Sequence, residues 1–276
     1  MSKVTSYLKE LGKEFKDDNA TILAAAQAYY YLLAVVPLLI LLLAILPYLQ
    51  LDPNRVVEFI GTILHGEIAS TFEETIISVV TTPSGGLLTF GILGTLWSAS
   101  NAMNAFMLAT NQAYDVEETR SFFAKKGIAI VLTLFMLIAV IIALVLPIFG
   151  GALLDLITQF LNLPAQTEIL FQVLRWVISI VVMSLVLAML YKFAPNKHFP
   201  FKEVIIGAVI ATVLWQLVSL GFSFYVSNFG SYSATYGSLG GLIILMLWFF
   251  LTGLILVVGA EINAILHRHR HAKSDS

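Results

Sequence analysis

Polar side chains inside apolar runs are where this chain could do chemistry, because each must lose its water and find a partner. Asn101, Asn104 and Asn111 are the clearest set. With Trp97 and Leu108 they fall at i, i+4, i+7, i+11 and i+14, which is one face of a helix. Amides on such a face can line a wet path for an ion or polar substrate. They can equally bond neighbouring helices, at ~0.6 kcal/mol each. Glu261 and Asn263 close the last apolar run and join the candidate path. Turned inward, Glu261 would be a proton-relay or ion-coupling carboxylate. Turned outward, it would be solvated or paired with a lysine following Tyr191. Arg175 beside Trp176 is a candidate contact for a lipid headgroup phosphate, or an arginine that snorkels to the interface.

Other motifs point to weaker chemistry. The alternation His267-Arg268-His269-Arg270-His271 offers imidazoles, but adjacent guanidiniums repel a cation, so no metal is expected there. A polybasic contact with anionic lipid fits it better. Asp17, Asp18 and Asn19 read as a helix N-cap before Ala24-Ala25-Ala26-Gln27-Ala28-Tyr29-Tyr30-Tyr31. Gly253, Gly259 and Ala260, together with Gly237 and Gly241 at small-xxx-small spacing, would let helices approach closely. The chain contains no HExxH, GxSxG, phosphate loop or carboxylate cluster. It has no cysteine, which excludes disulfides, thiolate metal sites and thiol nucleophiles. No catalytic residue, metal or cofactor is assigned, and no enzymatic activity is expected.

The elements that must position these residues follow from composition. Of 276 residues, 59% are hydrophobic and only 12% charged, against roughly 25% charged in soluble domains. Apolar surface on that scale needs lipid as its solvent. The formal net charge of −2 gives no attraction to nucleic acid, so none is expected as a partner. The expected fold is all-α: a polytopic integral membrane protein, one domain over 1–276, with six transmembrane helices and short interfacial amphipathic helices. Crossing the hydrocarbon takes ~20 residues as a helix. The spans are 22–49, 87–109, 124–149, 170–190, 204–226 and 240–261. The first reads as a retained signal anchor, and Pro37 in its middle predicts a kink.

Residues 1–18 place Val4, Tyr7, Leu8, Leu11 and Phe15 at helical spacing, a cytoplasmic amphipathic helix on the membrane surface. Segments 52–82 and 151–168 repeat that pattern on the extracytoplasmic side, and 267–276 is a cytoplasmic basic tail. Charge fixes the orientation. Lys3, Lys9, Lys13 and Lys16 lie on the side of the termini in a six-span chain. So do Arg120, Lys125 and Lys126; Lys192, Lys197 and Lys202; and Arg268, Arg270 and Lys273. Only Arg55 and Arg175 of the 15 basic residues fall elsewhere. Positive charge stays in the cytoplasm, which puts both termini there.

Several pieces carry a family resemblance. They are Ala25-Ala26-Gln27-Ala28-Tyr29-Tyr30 with Pro37, and Leu96-Trp97-Ser98-Ala99-Ser100 followed by Asn111 and Glu118-Thr119-Arg120. Leu190-Tyr191-Lys192-Phe193-Ala194-Pro195, Gly207-Ala208 and Trp215 follow. The last are Tyr232-Ser233-Ala234-Thr235-Tyr236-Gly237-Ser238-Leu239, Trp248 and Gly259-Ala260-Glu261-Ile262-Asn263-Ala264. In this order the chain resembles the YihY/BrkB family of bacterial inner-membrane proteins. The resemblance implies six helices in the cytoplasmic membrane. Members of the family have carried a ribonuclease label (ribonuclease BN). Phosphodiester hydrolysis needs a held metal or an acid–base pair, and the histidines and acids here lie scattered among loops and termini.

Two functions remain in view. One is transport, moving a lipid, amphiphile or ion across or within the bilayer along Asn101, Asn104, Asn111, Glu261 and Asn263. The other is a non-transporting scaffold or envelope-maintenance factor. Membrane lipids are the expected partners; a homo-oligomer is compatible with the sequence, and no other protein partner is indicated.

Overall fold

The structure, a computed structural model, describes residues 3–49, 77, 82–137, 167–229 and 239–272. Among them every regular element is helical. They are α1 (Lys3–Asp17), α2 (Ala20–Ile45, closed by a 3-10 turn over Leu46–Leu49), α3 (Gly85–Ala113) and α4 (122–137). Then follow α5 (Thr167–Phe193), α6 (Phe201–Phe229) and α7 (Leu239–Ala272). Segments 52–82 and 151–168, expected as interfacial helices, lie almost wholly outside the described residues, as do 138–149 of the third expected span.

Three stretches, Ala20–Ile45, Phe201–Val226 and Gly240–His271, are long and apolar enough to cross a membrane. Val177–Phe193 is apolar but shorter. At 29 residues, α3 reaches ~43 Å at 1.5 Å per residue, although Ser98, Ser100, Asn101 and Asn104 make it more polar. The helix α2 runs continuously from Ala20 through Pro37 to Ile45. The helix α7 continues past Glu261 to Ala272, so residues 267–272 of the expected basic tail are helical.

The junctions explain where helices stop. Asn19 has φ 51°, a left-handed conformation that asparagine tolerates better than most residues. It therefore separates α1 from α2 as a left-handed link, not as the extended N-cap expected. Asp18 sends its side chain elsewhere, accepting from Gln112 Nε2 at 3.1 Å. Asp115, also at φ 51°, ends α3. Val116 N donates to the Asn111 carbonyl (2.9 Å) and Asp115 N to that of Gln112 (3.0 Å), the paired closure of a Schellman cap.

The chain forms two compact units. In Tyr30–Ala99, two glycines of α3 let it approach α2. A Cβ at Gly91 would lie 2.8 Å from the Leu41 backbone, and one at Gly94 would lie 3.3 Å from the Pro37 ring. An open, mainly apolar groove of about 930 Å³ runs beside Pro37, Phe90, Leu93 and Trp97.

The other unit joins Met1–Tyr29 to Ser100–Ser276. Its core takes Met103, Phe106 and Met107 from α3, Leu132 from α4, Leu187 and Tyr191 from α5, Val204 and Ala208 from α6, and Ile255 from α7. Contacts at 203–267, 207–263 and 215–252 set α6 antiparallel to α7. Small residues fix that separation. A Cβ at Gly259 would meet Ala211 Cβ at 2.9 Å, and one at Gly207 would meet Asn263 Oδ1 at 2.5 Å. Gly253 sits against Ala24, whereas Gly241 has open space around it. Gly237 is outside the described residues.

Candidate functional site

The polar residues of the larger unit gather where α1, the end of α3, the α5–α6 link and the end of α7 meet. On α7, Glu261 and Asn263 are both fully buried. Asn263 Oδ1 accepts from Gly207 N of α6 at 2.7 Å. Asn263 also faces the Tyr114 hydroxyl, without a closed hydrogen bond at either Nδ2 or that hydroxyl. Burial pushes the Tyr114 hydroxyl well above its ordinary value. About two turns before Asn263 on α7, the Leu256 carbonyl accepts from the Tyr191 hydroxyl at 2.8 Å.

A second lattice ties the link after α3 to the link after α5. Asn111 Nδ2 donates to Glu118 Oε2 at 3.0 Å, and Asn111 Oδ1 accepts from Asn196 N at 2.7 Å. Arg120 grips Glu118 through Nε (2.7 Å) and Nη2 (2.9 Å), and Nη2 also reaches the Ala194 carbonyl. Asn196 Nδ2 donates to the Glu117 carbonyl and Thr119 Oγ1. Burial alone would raise the Glu118 carboxyl, but the Arg120 side chain and backbone amide hold it below its ordinary value.

The third feature is a group of carboxylates. Oxygens of Glu14, Asp18 and Glu261 lie within 4.8 Å of one another. Glu14 pairs with Arg268 at 2.9 Å, and Asp18 accepts from Gln112. Neither oxygen of Glu261 has a hydrogen-bond partner among the described residues. Facing carboxylates hold no donor between them, so bringing Glu261 and Asp18 together calls for a shared proton or a cation. No lysine of the α5–α6 link pairs with Glu261 among the described contacts. The solvated or lysine-paired alternative is therefore corrected. The carboxylate lies in the interior because Ala260 and Ala264 on either side of it pack at 0% and 2% exposure.

The asparagine face of α3 is divided. Asn101 Oδ1 accepts from Lys126 Nζ at 2.7 Å, and Asn111 belongs to the loop lattice. Asn104 is half-buried with its Oδ1 unpaired among the described residues, while Trp97 and Leu108 are 59% and 48% exposed. Of the sequence candidates, Glu261 and Asn263 are buried together on α7, Asn111 belongs to the loop lattice, and Asn101 and Asn104 lie further back along α3. Arg175 and Trp176 are on α5, in a stretch whose side chains are outside the described residues.

The basic end of α7 also differs from expectation. His267 Nδ1 meets Glu203 Oε2 at 2.5 Å, His269 Nε2 meets Glu10 at 2.7 Å, and Arg268 reaches both Glu14 and Asp115. These groups bind other helices, since acids of α1 and α6 stand directly opposite them. The scattering of histidines and acids along the sequence is undone by the fold, which gathers Glu203, His267 and His271 into one cluster and Glu14, Asp18 and Glu261 into another. Glu14, Asp18, Gln112 and Glu203 were missed from sequence. All four are polar residues at helix ends, where exposure is the ordinary expectation.

The family model described as "Virulence factor BrkB" matches residues 11–276. A Bacillus subtilis (strain 168) protein named "Putative ribonuclease-like protein YfkH" is 41% identical over 265 residues, covering 96% of each chain. A "UPF0761 membrane protein" of Vibrio vulnificus (strain YJ016) is 36% identical over 113 residues, 41% of this chain and 36% of that one. Another of that description in Chromobacterium violaceum is 34% identical over 121 residues, 43% and 29% of the two chains. No solved structure matches.

Proposed function

Because this chain belongs to the BrkB virulence-factor family and is a membrane protein, we propose that it is a transport-type protein of the bacterial inner membrane. It moves a lipid, amphiphile or ion across or within the bilayer. It crosses six times with both termini in the cytoplasm, takes membrane lipids as its partners and performs no covalent chemistry. The observation that carries this reading is Glu261. It is fully buried within the apolar helix α7, beside two further carboxylates, with neither oxygen hydrogen-bonded among the described residues. Burying an unpaired charge is expensive, and inside membranes such groups mark ion and proton pathways. Glu261 is thus the coupling group, taking up a proton or cation as Asp18 and Glu14 approach and releasing it as they part. The apolar groove beside Pro37 suits an acyl chain and supports a lipid or amphiphile as cargo.

The test is flux or scrambling in proteoliposomes against a panel of lipids and ions, comparing the native chain with Glu261→Gln. Glutamine keeps the shape and removes the titratable oxygen. Loss of flux, or of its pH dependence, at equal incorporation and equal melting temperature supports coupling. Native and variant vesicles that both behave like empty ones would leave the scaffold reading in its place. One observation favours that second reading: Asn101 and Asn111 are engaged in bonds within the chain.

A further inference from the structure

We propose that Glu203, His267 and His271 form a binding site for a divalent transition metal ion of the Zn²⁺ type, clamping the start of α6 to the end of α7. The sequence argued against a metal because arginines alternate with the histidines, but that alternation is undone by the helix. His267 and His271 stand four residues apart on one face of α7, the spacing at which two imidazoles on a helix share a metal. Their rings lie 4.4 Å apart, centroid to centroid. Arg268 is drawn off to Glu14 and Asp115, and Arg270 donates to the Lys202 carbonyl.

The two imidazoles converge on one carboxylate. His267 Nδ1 is 2.5 Å from Glu203 Oε2, and His271 Nε2 is 3.5 Å from Glu203 Oε1. Ligand atoms around a tetrahedral ion stand about 3.3 Å apart, given bonds of ~2.0–2.1 Å. A small rotation of the Glu203 carboxylate therefore opens the shorter gap to receive an ion. Neutral imidazoles can turn either nitrogen's lone pair toward a cation. Phe199 stacks edge-on against His267 at 5.0 Å and steadies its ring. His271 has 59% of its side chain exposed, which leaves the fourth position to water and an open route for the ion. Two nitrogens and one carboxylate suit Zn²⁺, Ni²⁺ or Co²⁺ far better than Mg²⁺ or Ca²⁺, which prefer all-oxygen sites. The clamp does not depend on the transport reading.

His269 supplies the control. It points to another side of the same helix, against Glu10 and 4.8 Å from the Tyr7 ring. The full chain, purified in detergent with a tag free of histidine, is titrated with Zn²⁺ alone by calorimetry and with Co²⁺ by its visible absorption. The expected result is one saturable ion per chain, four-coordinate Co²⁺ bands, and no competition from Mg²⁺. His271→Ala and Glu203→Gln should each weaken binding by at least the roughly tenfold that even outer-shell losses cause. His269→Ala should leave it unchanged. With the exposed His271 removed the fold persists, so its loss of binding reads the site and not unfolding. Absence of saturable binding by the native chain, competition by Mg²⁺, or a His269→Ala defect equal to that of His271→Ala would each overturn the proposal.

Discussion

Arg120 reaches two loops from one side chain, and only a planar fork of donors allows it. It grips Glu118 twice and keeps a donor for the Ala194 carbonyl, a geometry that an ammonium group cannot reproduce. The Glu118 carboxyl is consequently held below its ordinary value, and the sign of the pH effect follows. A lowered folded-state value means that the stabilisation is complete above the usual carboxylate range, roughly pH 4–4.5. It is lost as pH falls through the lowered value. Thermal melts in detergent should therefore separate the native chain from Glu118→Gln most at pH 7, with the gap closing as acid is added; a gap constant across pH would refute the assignment. Asn111 and the Glu118-Thr119-Arg120 run stood out in the sequence as motif pieces. That they clasp Asn196, 85 positions from Asn111, was not legible there.

At the scale of elements, α6 and α7 are locked by residues that have almost no side chain. Gly207 and Gly259 let the helices close until Asn263 can cap a backbone amide and the Tyr191 hydroxyl can reach a helical carbonyl. Lipid tails are as apolar as leucine, so in a bilayer such contact has to come from close packing and hydrogen bonds. Gly207→Ala should destabilise the chain by about 1–3 kcal/mol, the usual range for overpacking. Gly241→Ala, with nothing within 4 Å of the added carbon, should be close to neutral. Unfolding in mixed micelles measures both, and equal effects would contradict the packing argument. Gly253 and Gly259 were legible in advance as close-approach residues, whereas Gly241, half of the small-xxx-small pair, faces open space. Gly91 and Gly94 gave no such signal, since a glycine pair three apart is common and only the facing Leu41 backbone and Pro37 ring give it meaning.

For the whole molecule, the distribution of lysine and arginine predicts that both ends of the chain stay in the cytoplasm. The absence of cysteine makes this straightforward to test. Single substitutions Ser6→Cys and Ser274→Cys should react with an impermeant maleimide only after cells are opened, and Asn54→Cys should react in intact cells. Labelling of either terminus from outside would overturn the topology. Three described stretches have the length and hydropathy to cross. The more polar α3 depends on partners for its amides, as Asn101 depends on Lys126.

Composition and local spacing determined the material of this protein, apolar helices with lipid as solvent, and the quoted motifs carried the resemblance to its family. Those properties depend on runs of neighbouring residues, which a linear chain displays directly. The tertiary structure alone decided which polar groups meet. Glu261 and Asp18 are 243 residues apart in the chain and share one carboxylate cluster; the histidines of an expected lipid-binding tail instead grip Glu10 and Glu203. A buried polar group is stabilised by whatever the fold sets opposite it, and that partner has no fixed separation along the chain.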